Sequence, residues 1–217
     1  MRVLDFEQYT PQWWAARRGM PTASEFHRIV TPAKWQMGSG AETYIFELIA
    51  QEFDVDYGIA SDRATTAMRN GTFGEPEARR FYEFDTNMKV QQVGFCISDC
   101  GRFGCSPDGL VGDDRGLELK HPTAATQAKW LWAGVVPPEH LAQCHGGMIV
   151  TNRNRWDFLS YYPGMTPLLV PVFRDEKTEL LAKALEEFHV MLTERRERIQ
   201  GGGDPVAATR EPAEQYF

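Results

Sequence analysis

No stretch of the sequence approaches the roughly 18 to 20 consecutive apolar residues that a membrane span requires. The opening residues, MRVLDFEQYTPQWWAARRG, lack the uninterrupted apolar segment of a secretory signal, so a cytoplasmic setting is expected. Basic residues are in deficit. The 217 residues carry 23 Lys and Arg against 30 Asp and Glu, a formal charge of −7. That balance excludes a broad basic surface that coats nucleic acid by charge alone. No internal repeat is present, and apolar and charged residues, at 42% and 24%, exclude a disordered or collagen-like chain. Cysteine is scarce. Cys96, Cys100 and Cys105 have C-x3-C-x4-C spacing without the C-x2-C pair of structural zinc sites, and Cys144 stands apart beside His145. Free thiols on strands and in a packed core are expected, with an iron–sulfur or zinc staple as the alternative.

What is present reads as one domain over residues 1–200 and a tail over 201–217, divided by Gly201-Gly202-Gly203-Asp204-Pro205. Thr10-Pro11 predicts a short helix reaching Arg17, and Thr22 or Ser24 can cap the next. Residues 62–85 read as helical on both sides of an interruption at Gly71 to Gly74. Strand character follows at 88–98, 103–111, 116–121, 155–162 and 167–173, interrupted by helical segments near 123–134 and 138–150. A closing helix over 175–199 places Leu181, Leu185, Phe188 and Leu192 on one core stripe. The order predicts an α/β fold, a central mixed sheet flanked by helices.

The chemistry concentrates around Ser106-Pro107-Asp108-Gly109-Leu110 and Leu117-Glu118-Leu119-Lys120, separated by a Gly-Asp-Asp-Arg-Gly turn. Asp108 and Glu118 are expected on adjacent arms of a hairpin. Strand alternation then turns Glu118 and Lys120 to one face and Leu117 and Leu119 into the core. Two carboxylates so placed can share a hard cation such as Mg²⁺, which favours oxygen ligands and retains waters. A metal held there can generate hydroxide and stabilise charge on a phosphodiester, while Lys120 orients or deprotonates the water or neutralises the phosphate. Glu75 is expected in the first turn of a helix after Gly71-Thr72-Phe73-Gly74, and Gln143 in the first half of a helix after Pro137-Pro138.

The pieces T-A-S-E (Thr22 to Glu25), G-x3-E-x2-A (Gly71 to Ala78), S-P-D-G-L (Ser106 to Leu110), G-L-E-L-K-x-P (Gly116 to Pro122), A-Q (Ala142-Gln143) and W-D-F-x-x-Y (Trp156 to Tyr161) occur in that order. In this order the chain resembles the lambda-type phage exonucleases, also called YqaJ-like viral recombinases, of the PD-(D/E)xK nuclease superfamily, from about Trp14 to Tyr162. The resemblance implies a restriction-endonuclease-like core and a Mg²⁺-dependent 5′→3′ exonuclease acting on linear double-stranded DNA. It implies release of mononucleotides and a 3′ single strand left for a single-strand annealing partner. It further implies a homotrimeric ring around the DNA, a two-ion site in which Mn²⁺ substitutes, and a phage or prophage protein of a bacterial cytoplasm.

By motif, the resemblance makes Asp108, Glu118 and the Leu119 carbonyl metal ligands and Lys120 the catalytic lysine, with Glu75 and Gln143 assisting. It places the terminal 5′-phosphate on Arg17, Ser24 and Ser106. Such a group makes chemical sense, since a guanidinium offers phosphate a planar fork and Thr22-Ala23-Ser24 opens a helix. Arg18 is the neighbouring alternative to Arg17. Met68 and Lys34 are expected either to touch DNA, as wedge and groove probe, or to serve as core and solvated surface. His121 and His145 stand where related sequences differ. A DNA-end-binding scaffold without activity is the non-enzymatic alternative, disfavoured by the presence of Glu75, Asp108, Glu118, Lys120 and Gln143 together.

Overall fold

The computed structural model describes the backbone of residues 1–54 and 66–201, and the side chains of all of these except 66–73. The expected tail beyond residue 201 and the side chain of Met68 lie outside the described residues. As the element order predicts, a mixed sheet is flanked by helices.

Five strands form that sheet: β2 (Val90–Gln91), β5 (Gly109–Val111), β6 (Arg115–Lys120), β7 (Arg155–Ser160) and β8 (Leu168–Phe173), side by side in that order. Only β6 and β7 run parallel; the other neighbours are antiparallel. The parallel pair needs a crossover, supplied by helices α4 (Ala124–Ala133) and α5 (Pro138–Thr151). A smaller sheet, β1 (Arg2–Leu4), β3 (Phe95–Ile97) and β4 (Gly104–Cys105), stands beside it. Residues 88–98, expected as one strand, are therefore divided between two sheets. The chain crosses at Gly94, where a Cβ would fall 2.0 Å from the Phe6 carbonyl oxygen.

The N-terminal elements are α1 (Pro11–Arg17), a 3₁₀ helix over Ala23–Arg28, and α2 (Gly40–Phe53). Thr10 caps α1 by accepting from the Trp13 amide. Thr22 occupies the cap position of the 3₁₀ helix, but neither it nor Ser24 acts as the cap by side-chain bonding; their hydroxyls are drawn to Arg17 instead. A backbone bridge ties Thr22 to Gly104 of β4.

Helix α3 (Thr66–Thr86) corrects a second expectation. It runs unbroken through Gly71 and Gly74, so Glu75 sits mid-helix and gains nothing from a helix N-terminus. Gly74 serves close packing: a Cβ there would lie 1.9 Å from the His121 ring. Helix α6 (Glu176–Gln200) begins at a capping box between Asp175 and Thr178 and buries Leu181, Leu185, Phe188 and Leu192. Helix α5 lies against the sheet because it carries glycine where the rings of Phe26 and Trp156 press. A Cβ at Gly147 would sit 2.5 Å from Trp156. That closeness brings Gln143 over the end of β6.

Candidate active site

The β5–β6 hairpin pairs Gly109 with Leu117. One residue earlier the regular ladder ends, because Pro107 has no N–H to continue it. The Asp108 amide still reaches the Leu117 carbonyl at 3.1 Å. The Leu119 N–H, left beyond β5, donates to the Asp108 carboxylate at 2.6 Å. A backbone need thus holds Asp108 beside Glu118. On β6, Leu117 and Leu119 enter the core cluster under α3, while Glu118 and Lys120 turn to the opposite face and pair with each other.

Both carboxylates carry an electrostatic cost. Burial pushes Glu118 up to about 7; Lys120 opposes that shift and Asp108 adds to it. Burial likewise raises Asp108. Glu75, brought in by α3, is raised by burial and then by Asp108. Burial disfavours the Lys120 ammonium, but Glu118 and Asp108 outweigh it and raise its pKa, so it stands protonated.

These groups line a cleft of about 590 Å³ with Gln143, Arg17, Ser24 and Ser106. Arg17 donates to Ser106 Oγ at 3.0 Å, Thr22 Oγ1 at 3.2 Å and Ser24 Oγ at 3.4 Å. Arg18 turns away and donates to the Asp54 carbonyl. Trp13 Nε1 also donates to Ser106 Oγ, at 2.8 Å, and the Arg17 guanidinium lies 4.3 Å from the Trp13 ring centre. A chamber of about 30 Å³ is lined by Arg17, Ser24 and Ser106 together with Glu118 and Gln143. One cationic hydroxyl-rich seat and one carboxylate centre therefore share a cleft.

Lys34 stands on an exposed loop and does not line this cleft. His121 does, packed on Gly74 and facing Tyr161 and Tyr162. His145, two residues after Gln143, falls on the other face of α5. There it bonds Thr178 and abuts Trp35, so it is structural. Gln8, Tyr9 and Trp13 also line the cleft and were missed in the sequence. For Trp13 a signal existed, an aromatic four residues before Arg17 on one helical face.

The carboxylate set suits a hard cation: two anionic oxygens held together at a cost that a cation would relieve, with a strand carbonyl beside them. Among the described residues no three His, Cys, Asp or Glu side chains converge as a ready cage. The cysteines do not gather. Cys96 and Cys105 face each other across β3 and β4, Cys144 is buried in α5, and Cys100 is exposed.

Residues 12–154 match the YqaJ-like viral recombinase domain, about two thirds of the chain. The chain belongs to that family. No curated protein sequence matches it. Among solved structures it is similar to an alkaline exonuclease (LHK-Exo) from Laribacter hongkongensis, at 29% identity and TM-score 0.77. That match covers 92% of this chain and 99% of the other, and the same enzyme in complex with dAMP matches equally. A phage-related exonuclease from Haemophilus somnus 129PT is 13% identical with TM-score 0.53, covering 81% and 96%. At that identity it speaks for the fold alone. In this YqaJ-like chain, the family match spans the seat, the carboxylates, Lys120 and Gln143.

Proposed function

We propose that the protein is a Mg²⁺-dependent 5′→3′ exonuclease. It degrades one strand of linear double-stranded DNA from 5′-phosphorylated ends, releases mononucleotides and leaves a 3′ single strand for recombination by annealing. The observation that carries this reading is the common cleft. Arg17, with the hydroxyls of Thr22, Ser24 and Ser106, offers a terminal phosphate a planar donor surface. Asp108, Glu118 and Lys120 line the same cleft and, in this reading, act on the next phosphate along the strand. Similarity to an alkaline exonuclease over nearly the whole chain supports the reaction class.

Asp108, Glu118 and the Leu119 carbonyl would hold Mg²⁺ in a two-ion site, with Mn²⁺ as a substitute. When bound, it supplies a Lewis acid and an acidified water. Lys120, an ammonium beside Glu118, orients the water and offsets charge building on the phosphate. Glu75 and Gln143, lining the same cleft, would assist by hydrogen bonding to water there. Mononucleotide release follows if the seat accepts a new terminal phosphate after each cut. A homotrimeric ring, an annealing partner and a phage or prophage origin in a bacterial cytoplasm belong to this reading through the family. No described helix is long and apolar enough to cross a membrane.

The test is digestion with Mg²⁺ of linear duplex bearing 5′-phosphate or 5′-hydroxyl ends, beside a closed circle. One strand should disappear fastest from phosphorylated ends, with the circle intact. Cutting of the circle would replace this reading with an endonuclease.

A further inference from the structure

Tyr9 holds a backbone conformation that aromatic residues rarely adopt, with φ of 66°. Its neighbours enforce it. Gln8 Nε2 donates to the carbonyls of Val93, at 3.3 Å, and Pro107, at 3.1 Å, binding this segment to the turn that carries Asp108. Thr10, on the other side, is fixed as the cap of α1, its hydroxyl donating to the Glu7 carbonyl at 2.7 Å. Between these anchors the Tyr9 ring is turned into the cleft.

The ring packs on Trp13 with centres 5.1 Å apart, yet 46% of the residue stays exposed. A strained aromatic that keeps nearly half its surface open is poorly explained by core packing. Trp13 beneath it is buried and pinned to Ser106, so the platform is rigid. Tyr9 lines the cleft together with Glu75, Asp108 and Lys120 of the carboxylate centre and Arg17 of the seat. It borders both: Trp13 beneath its ring bonds Ser106 of the seat, and Gln8 beside it bonds the Pro107 carbonyl next to Asp108. In the exonuclease reading, the sugar and base of the terminal nucleotide would lie along this part of the cleft.

We propose that Tyr9 is the stacking platform for the nucleobase of the 5′-terminal nucleotide, a positioning residue that sets the next phosphate against the carboxylate centre. This rests on the exonuclease reading above. Stacking accepts every base, because each has a π-face, and so suits an enzyme that must remove all four nucleotides. The ring contributes contact area and the hydroxyl is dispensable.

The experiment compares kcat/KM of the full-length protein, with Mg²⁺, on duplex whose 5′-phosphorylated terminal nucleotide is either normal or abasic. Wild type should lose on the order of tenfold on the abasic end, the scale of one base–aromatic stack. Tyr9→Gly keeps the backbone, since glycine adopts this φ freely, and should cut both ends at nearly the same reduced rate. Tyr9→Phe should behave as wild type. A wild type indifferent to the missing base overturns the proposal without recourse to any variant, as does a Tyr9→Gly enzyme that discriminates fully. Failure of wild type to digest the normal end at all would instead overturn the exonuclease reading, and the platform with it.

Discussion

The two ends of the cleft are built on opposite principles. At the seat, Arg17 is already satisfied: three hydroxyls accept from its guanidinium and Trp13 lies against it. At the centre, Asp108 and Glu118 share one ammonium, Glu75 lines the same cleft, and all three carboxyls are pushed toward their neutral forms. The seat is complete as protein. The centre is short of positive charge, a shortage that the proposed cation would relieve. Binding of an end and cutting of an end should therefore separate under mutation.

The sharpest break is at the centre. Asp108→Ala should lower Mg²⁺-dependent digestion by at least about a hundredfold, the upper end of what losing an outer partner of a metal ligand costs. Binding of 5′-phosphorylated ends, measured by fluorescence anisotropy, should survive. Unchanged digestion would remove Asp108 from the centre. At the seat, Arg17→Ala should shrink the preference for phosphorylated over hydroxyl ends on the order of tenfold, as for one charge-assisted contact. Cutting of hydroxyl ends should change little. Arg18→Ala is the control, since Arg18 points elsewhere. If Arg18 and not Arg17 moves the preference, the seat is misplaced.

A milder effect concerns stability. Burial first, and then Lys120, lowers His140 to about 3 as it stacks on Phe158 at 5.6 Å. Burial lowers His145 to about 4. Unfolded, each takes up a proton near pH 6.5, so between there and the folded values the unfolded state binds more protons. The two histidines therefore take stability away as pH falls through that window, by at most about 1.4 kcal/mol per pH unit each. The raised Glu118 contributes with the opposite sign below its folded value of about 7. Denaturant midpoints measured at pH 7 and pH 5 should show His140→Phe losing less stability on acidification than wild type, because only the histidine contribution is removed. An identical pH dependence in the two proteins would mean that the His140 ring is not buried neutral.

Much of the centre was legible because strand alternation is a local rule. Glu118-Leu119-Lys120 reads correctly as soon as β6 is recognised, and the Gly112 to Gly116 turn places Asp108 beside it. The seat is also brought together around Arg17, through tertiary contacts that no local rule supplies. Misreadings arose where a residue type has two uses. Gly71 and Gly74 read as a break, yet Gly74 makes room for His121 inside a helix. Thr22 and Ser24 read as caps, yet their oxygens answer a guanidinium from another helix. Tyr9 gave no signal, because a left-handed backbone held by Gln8 is a tertiary property. The acidic total is likewise coarser than the cleft. Arg28, which lines it, is held by Glu47 at 2.6 and 2.7 Å.

The Arg17–Ser106 contact joins residues 89 apart in sequence, and the Thr22–Gly104 bridge closes nearly the same loop. Arg17, Thr22 and Ser24 lie within seven residues of one another, but Ser106 joins them only when that loop closes, and closing it costs entropy. Under the proposed exonuclease reading, a nascent or partly unfolded chain would hold a phosphorylated end with an incomplete seat. Full recognition would then arrive only with the completed fold, and an immature copy would not block an end that it is unable to process.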